Sequence, residues 1–384
     1  MHVRLENWRR LTDDSGRARP HHRDDLVTAL LSSVLVLGLF LDGWSHLTLL
    51  QGRLGAFLSP WHAPLYAGFT ATALWVMTRN QRLPGWSVDD VPVGYGLSVV
   101  AVLIGGVGLV GDLAWHALAG VETGVAVLLA PFHLVLFASA AVMIAAPFRA
   151  AWRADDRSGA VSARAVLPAA LSLTLTTAVA AFVLQFMSPF VTWTAPQVTR
   201  LASGTPFMEM VRMHAFIGLV LTVLVLVAPI LLALRRLRPP AGTMAFLLTT
   251  VATLTSGMDQ FRLAALILAP AVTGLAADLL LHALEGRGRI TVHRVVGTLL
   301  PAGLCTGLLL IDSLLDGAAW SPELAIGAVG LSALAGLVLS VLMLPPTRLV
   351  EIRVTVPRGA EACAAPAVLL RGATGEAVGT GADG

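Results

Sequence analysis

The sequence contains no lysine: the 26 basic residues among its 384 are all arginine. Charge of either sign is scarce at 13% of residues, against roughly 25% in an average soluble domain. Hydrophobic residues make up 56%, and that balance places the chain in the membrane class. The arginines sit in short loops between apolar runs rather than in one groove-sized patch, which argues against nucleic acid as a partner. The Arg-for-Lys bias reads as a GC-rich coding sequence. Cysteine is equally sparse. Cys305 lies inside an apolar run and Cys363 in the tail, so no disulfide framework or thiolate metal motif can be built. A secretory leader is not expected: the first 25 residues are too polar and acidic for one, and the apolar run after them is too long. The first span is therefore expected to remain in the mature protein.

What the chain does have is apolar runs. Crossing roughly 30 Å of hydrocarbon takes about 20 helical residues. Runs of that order lie near 26–50, 62–78, 91–119, 124–147, 165–191, 208–234, 242–258, 261–284, 292–316 and 322–345. The expected fold is all-α, a polytopic transmembrane bundle of ten spans whose partner is the lipid bilayer. Its parts are an N-terminal arm (1–25), the helical domain (26–346) and a largely disordered tail (347–384) with a short strand at Val350 to Val356.

Cytoplasmic loops carry an excess of positive charge, and here the distribution is one-sided. Arg9, Arg10, Arg17, Arg19 and Arg23 precede the first run, Arg79 and Arg82 follow the second, and Arg149, Arg153, Arg157 and Arg164 follow the fourth. Arg235, Arg236 and Arg238 follow the sixth, Arg287, Arg289 and Arg294 the eighth, and Arg348, Arg353 and Arg358 the tenth. The other connections hold only Arg53, Arg200 and Arg262. The implied topology is five outward-pointing hairpins (26–78, 91–147, 165–234, 242–284, 292–345) in the plasma membrane, with both termini cytoplasmic.

Two of these hairpins read as copies of one unit. LDGWSH at 41–46 and SPWHAPLYAG at 59–68 match VGDLAWH at 110–116 and APFHLVLFAS at 130–139. Asp42 and Asp112 are 70 residues apart, as are His46 and His116, while His62 and His133 are 71 apart. The fifth hairpin echoes the pattern weakly with Asp312, Asp316 and Glu323. The third keeps only His214, and the fourth has Asp259 and Arg262 at its tip.

Residues four apart share a helix face, so Asp42 and His46 point the same way and His62 opens the antiparallel neighbour at similar depth. A carboxylate at a helix C-terminus and a protonated imidazole at an N-terminus both oppose the helix dipole. A bound cation reverses both penalties, because metal ligation needs ionised carboxylate and neutral imidazole. A lone Asp or His near the headgroups is ordinarily structural. Two triplets in register, with Glu122 between His116 and His133, point instead to metal ligation. The candidate ligands are Asp42, His46, His62, Asp112, His116, His133 and His214, with Glu122 as candidate general base. Trp44, Trp61, Trp115, Trp193 and Trp320 are assigned to an outer aromatic belt. His2, His21, His22, His282 and His293 are left outside any site.

Imidazole plus carboxylate without thiolate suits zinc, copper(II), iron or manganese. Asp-x3-His followed by a further His resembles the ligand pattern in the C subunit of the copper membrane monooxygenases, over about six residues of each hairpin. Here the second His follows the first by 16 or 17 residues, a longer gap than in that family, and the motif is doubled. The resemblance implies that such a triplet can hold copper or zinc at a membrane face, and it carries no activity across. Three functional classes follow. The first is a membrane-embedded metalloenzyme, a hydrolase or oxidoreductase. The second is a transporter or metal-handling protein with the cluster as a cation entry site. The third is a haem protein with paired His ligands.

Overall fold

The computed structural model describes residues 17–49, 60–78, 90–120, 124–153, 163–191, 205–316 and 320–345. The tail, its expected strand and Glu122 lie outside these residues. In chain order the α-helices are α1 (His22–Thr48), α2 (His62–Thr78), α3 (Gly96–Ala119), α4 (Val125–Leu129), α5 (Pro131–Ile144), α6 (Ala146–Arg153) and α7 (Ala163–Val183). They continue as α8 (Pro206–Leu234), α9 (Thr243–Gly257), α10 (Leu268–Ala283), α11 (Arg289–Asp316) and α12 (Pro322–Met343). No strand occurs among the described residues.

Seven helical segments are long and apolar enough to cross a bilayer, or eight if the pair α5 and α6, bent by 44°, is one span. Two of the ten expected spans, α2 with 17 residues and α9 with 15, fall short of the 18-residue length of such a helix. The outward faces of the long helices agree with a lipid environment: Val107 and Leu118 on α3, Leu279 on α10 and Ile326 on α12 are each more than 70% exposed. Apolar side chains on the outside as well as the inside are what a helix in hydrocarbon presents. The molecule is a multi-pass membrane protein in its architecture.

Sequence signals set the helix ends. Thr205 accepts the Met208 N–H at the start of α8, and Ser321 accepts the Leu324 N–H at the start of α12, each followed by proline at the first helical position. Asp24 and Asp25 occupy the first turn of α1, where the helix dipole favours carboxylates. At the other end of the bundle from the clustered histidines, Arg149 donates to the Gly94 and Val142 carbonyls and to Ser98 Oγ. There Arg294 donates to the carbonyls of Ser340 and Leu344.

In a membrane, helices approach through small residues rather than by a hydrophobic drive. A Cβ on Gly68 would lie 2.4 Å from the Leu35 backbone, and one on Gly38 would lie 2.5 Å from the Leu65 nitrogen. These contacts fix α1 antiparallel to α2. In the pair α3 and α5, Gly108 faces Leu136 and Gly105 faces Ser139. Gly108 is 70 positions after Gly38 and Gly105 is 70 after Leu35; Leu136 is 71 after Leu65 and Ser139 is 71 after Gly68. The two pairs therefore pack in the same register. α7 lies against α1, α5, α6, α8 and α9, and the most deeply buried side chains, Leu219, Leu226, Leu247 and Leu248 among them, surround it on α8 and α9.

Candidate metal centre

Each antiparallel pair brings its three ligand candidates together. In the first, Asp42 Oδ1 is 3.8 Å from His46 Nε2 and 3.4 Å from His62 Nδ1. In the second, Asp112 Oδ2 is 3.5 Å from His116 Nε2 and Asp112 Oδ1 is 3.3 Å from His133 Nε2. Within each group one ligand atom per residue lies within 4.8 Å of the others. Ligands placed 2.0–2.2 Å from a tetrahedral zinc ion stand about 3.3–3.6 Å apart; the Asp42–His62 distance and both Asp112 distances, one to each carboxylate oxygen, lie in that range, and the Asp42–His46 distance is slightly long. Three protein ligands leave a fourth position open, as in catalytic zinc sites.

The carboxylates are nearly sealed off, Asp42 being 9% and Asp112 4% exposed. Asp42 Oδ1, His62 Nδ1 and Asp112 Oδ1 are buried without a hydrogen-bond partner. Buried polar atoms are almost always paired. Three orphans, each aimed at a neighbouring ligand atom, mark the places where a cation would satisfy them.

The second triad also has an outer layer. Pro131 has no N–H, so the Val127 carbonyl, four residues earlier, lacks its helical partner. The His133 Nδ1–H donates to that oxygen at 2.6 Å. The His116 Nδ1–H likewise donates to the Gly120 carbonyl at 3.3 Å, where α3 ends on a glycine with φ of 85°. Both rings are thereby held in the tautomer that turns a lone pair at Nε2 toward Asp112. This is the usual support of a ligating imidazole. The first triad differs: His62 offers Nδ1, and its ring stacks on Tyr66 at 5.5 Å.

Both triads line one cavity of about 320 Å³ between α1, α2, α3, α5 and α7. Its remaining wall is mostly apolar, with Tyr66, Thr70 and Gln185 as further polar members.

The other candidates stand apart. His214 is exposed on α8 and joins neither group. Asp312 accepts the Trp320 indole N–H at 3.1 Å, and Trp320 is 8% exposed, so this tryptophan is a core residue rather than a belt residue. Glu323 sits in the first turn of α12 behind its Ser321 cap, a helix-start feature. Asp259 pairs with Arg262 at 3.6 Å. His293, whose place in the sequence flanks the basic inner loop, is fully buried. Its Nε2 meets the Leu231 carbonyl at 2.8 Å and its Nδ1 meets Ser340 Oγ at 2.9 Å. Sequence reasoning also passed over Gln185, whose only signal was an amide inside an apolar run.

No protein-family model, no curated protein and no solved structure matches the chain. The reading of the site rests on its geometry.

Proposed function

We propose that the first two helix pairs are copies of one unit and that each holds a transition metal, zinc, copper or iron, at the non-cytoplasmic rim of a ten-span plasma-membrane protein with cytoplasmic termini. The pair of centres forms the site of a membrane-embedded metalloenzyme, a hydrolase or an oxidoreductase. The observation that carries this reading is the set of carboxylate-to-imidazole distances, 3.3–3.8 Å in both triads around buried, unpartnered ligand atoms. The common register of the two pairs supports the duplication. The arginine asymmetry supports the orientation.

Asp42, His46 and His62 would hold one ion, and Asp112, His116 and His133 the other. A metal so held supplies Lewis acidity or an activated water. The chain's own contribution is to keep the imidazoles neutral and aimed, to present the carboxylates near helix C-termini where a cation would compensate them, and to shield the site behind an apolar wall. Glu122, on the connection between His116 and His133, is the proposed general base.

Two rival readings fit less well. A transported ion would need polar groups leading away from the triads, and the cavity continues instead into Leu35, Leu39 and Phe182. Haem held by a His pair across helices, such as His62 with His133 or His46 with His116, would not need the carboxylates, and each triad sets one within 3.8 Å of both of its imidazoles. The test is elemental analysis of the protein purified in detergent beside a His46→Ala, His116→Ala double variant. The wild type should carry one ion per triad and the variant almost none; equal metal in the two would defeat the reading. A Soret band in the wild type would replace it with haem.

A further inference from the structure

The cavity shared by the triads contains a polar atom that neither ion would use. α7 ends at Val183 and the chain tightens into a 3-10 turn over Gln185–Met187, which places Gln185 on the cavity wall. Gln185 is 2% exposed, and its Oε1 is buried without a hydrogen-bond partner. An unpaired amide oxygen in an apolar interior is costly, and this oxygen accepts only. Its missing partner is a donor. Beside the triads, Tyr66 and Thr70, the cavity is lined by apolar side chains, Leu35, Leu39, Phe69, Leu136, Phe137 and Phe182 among them, and a volume of about 320 Å³ is of the size that takes a small organic molecule.

We propose that this cavity binds a neutral amphiphile with one O–H group on an apolar body, of the phenol or long-chain alcohol class. Its hydroxyl donates to Gln185 Oε1 and its body lies among the leucines and phenylalanines, between the two triads. Such a molecule reaches the cavity dissolved in the lipid. The inference names a substrate class for the proposed metal centres and rests on that reading for any reaction, though not for binding.

The experiment uses the full chain in detergent, once metal-loaded and once chelator-treated, with two matched probes: 4-hexylphenol and its methyl ether 4-hexylanisole. Affinities are read by calorimetry, with metal content measured on the same samples. The wild type should prefer the phenol by about tenfold, the worth of one buried hydrogen bond, in both metal states. Gln185→Leu should erase that preference and leave ether binding and metal content unchanged. Leu39→Trp, which fills the cavity, should weaken both probes. Equal binding of the pair by the wild type would mean that water satisfies Gln185 and would overturn the proposal, as would a preference that survives Gln185→Leu. Wild type that takes up no metal on loading and still discriminates sinks the metal reading alone, and metal-bound protein that does not discriminate sinks this one alone.

Discussion

His62 Nδ1 stands 3.4 Å from Asp42 Oδ1, and both atoms are buried with no hydrogen bond to satisfy them. A matching distance recurs in the second triad, where Asp112 Oδ1, itself buried with no hydrogen bond, stands 3.3 Å from His133 Nε2. Two sites built alike should behave as separable units. Asp42→Ala should remove the metal of the first triad and leave the second loaded, and Asp112→Ala should do the reverse. Metal titration of each variant checks this. Loss of all metal from either single variant would indicate one shared centre instead of two.

The two sites should differ in strength. His116 and His133 are braced by the carbonyls of Gly120 and Val127, and removing such outer partners typically costs 10–100-fold in metal affinity. The Asp112 site is therefore expected to hold metal about tenfold more tightly than the Asp42 site. A chelator competition series on Asp42→Ala and Asp112→Ala, each retaining one site, measures the order directly.

Helix contact at Gly68 is a stability determinant. With its Cβ position 2.4 Å from the Leu35 backbone, Gly68→Ala must push α1 and α2 apart, and overpacking of this kind costs about 1–3 kcal/mol. Gly106, in α3, has nothing within 4 Å of its Cβ position. Gly106→Ala should be neutral or stabilising by up to about 1 kcal/mol through helix propensity. Thermal unfolding in detergent should separate the two alanine variants in opposite directions.

Asp278, buried in α10, accepts the N–H groups of Met244 at 3.2 Å and Ala245 at 3.1 Å. These are orphan donors of the first turn of α9, so this carboxylate caps a neighbouring helix. Asp278→Ala should lower stability by about 1–2 kcal/mol, the usual cost of a lost cap, with no effect on metal content. Reduced metal loading in that variant would show that the two ends of the bundle are coupled.

Much of the site was legible before any coordinates. The spacings of 70 and 71 residues between the two Asp/His sets are also the offsets of the helix packing, because Gly38 and Gly108 sit at equivalent contacts. Residue types at helix ends and the dipole argument were enough to point to a cation. What stayed hidden depended on neighbours distant in sequence. Trp320 near a headgroup boundary reads as a belt residue, and only Asp312 on α11 makes it a buried donor. His293 reads as a loop residue until Ser340 and the Leu231 carbonyl close over it. The brace on His133 could have been found, since Pro131 frees a carbonyl at Val127 by simple counting. Gln185 could not, because the turn that exposes it to the cavity leaves no mark in the apolar pattern of α7.

Orientation is open to a chemical test. In a background with Cys305→Ser and Cys363→Ser, Ala119→Cys at the exposed end of α3 should react with a membrane-impermeant maleimide added to intact cells. Arg287→Cys, in the exposed connection before α11, should react only after lysis. The opposite pattern would put the triads on the cytoplasmic side.

The most direct measurement of the central claim is X-ray absorption at the edge of the metal that copurifies with the protein. The expected spectrum has nitrogen and oxygen ligands only, at about 2.0–2.2 Å if the ion is zinc, with outer-shell scattering from two imidazoles per ion, and the metal edge itself should be nearly lost in the His46→Ala, His116→Ala variant. A sulfur shell near 2.3 Å, or a metal spectrum without imidazole scattering, would contradict it.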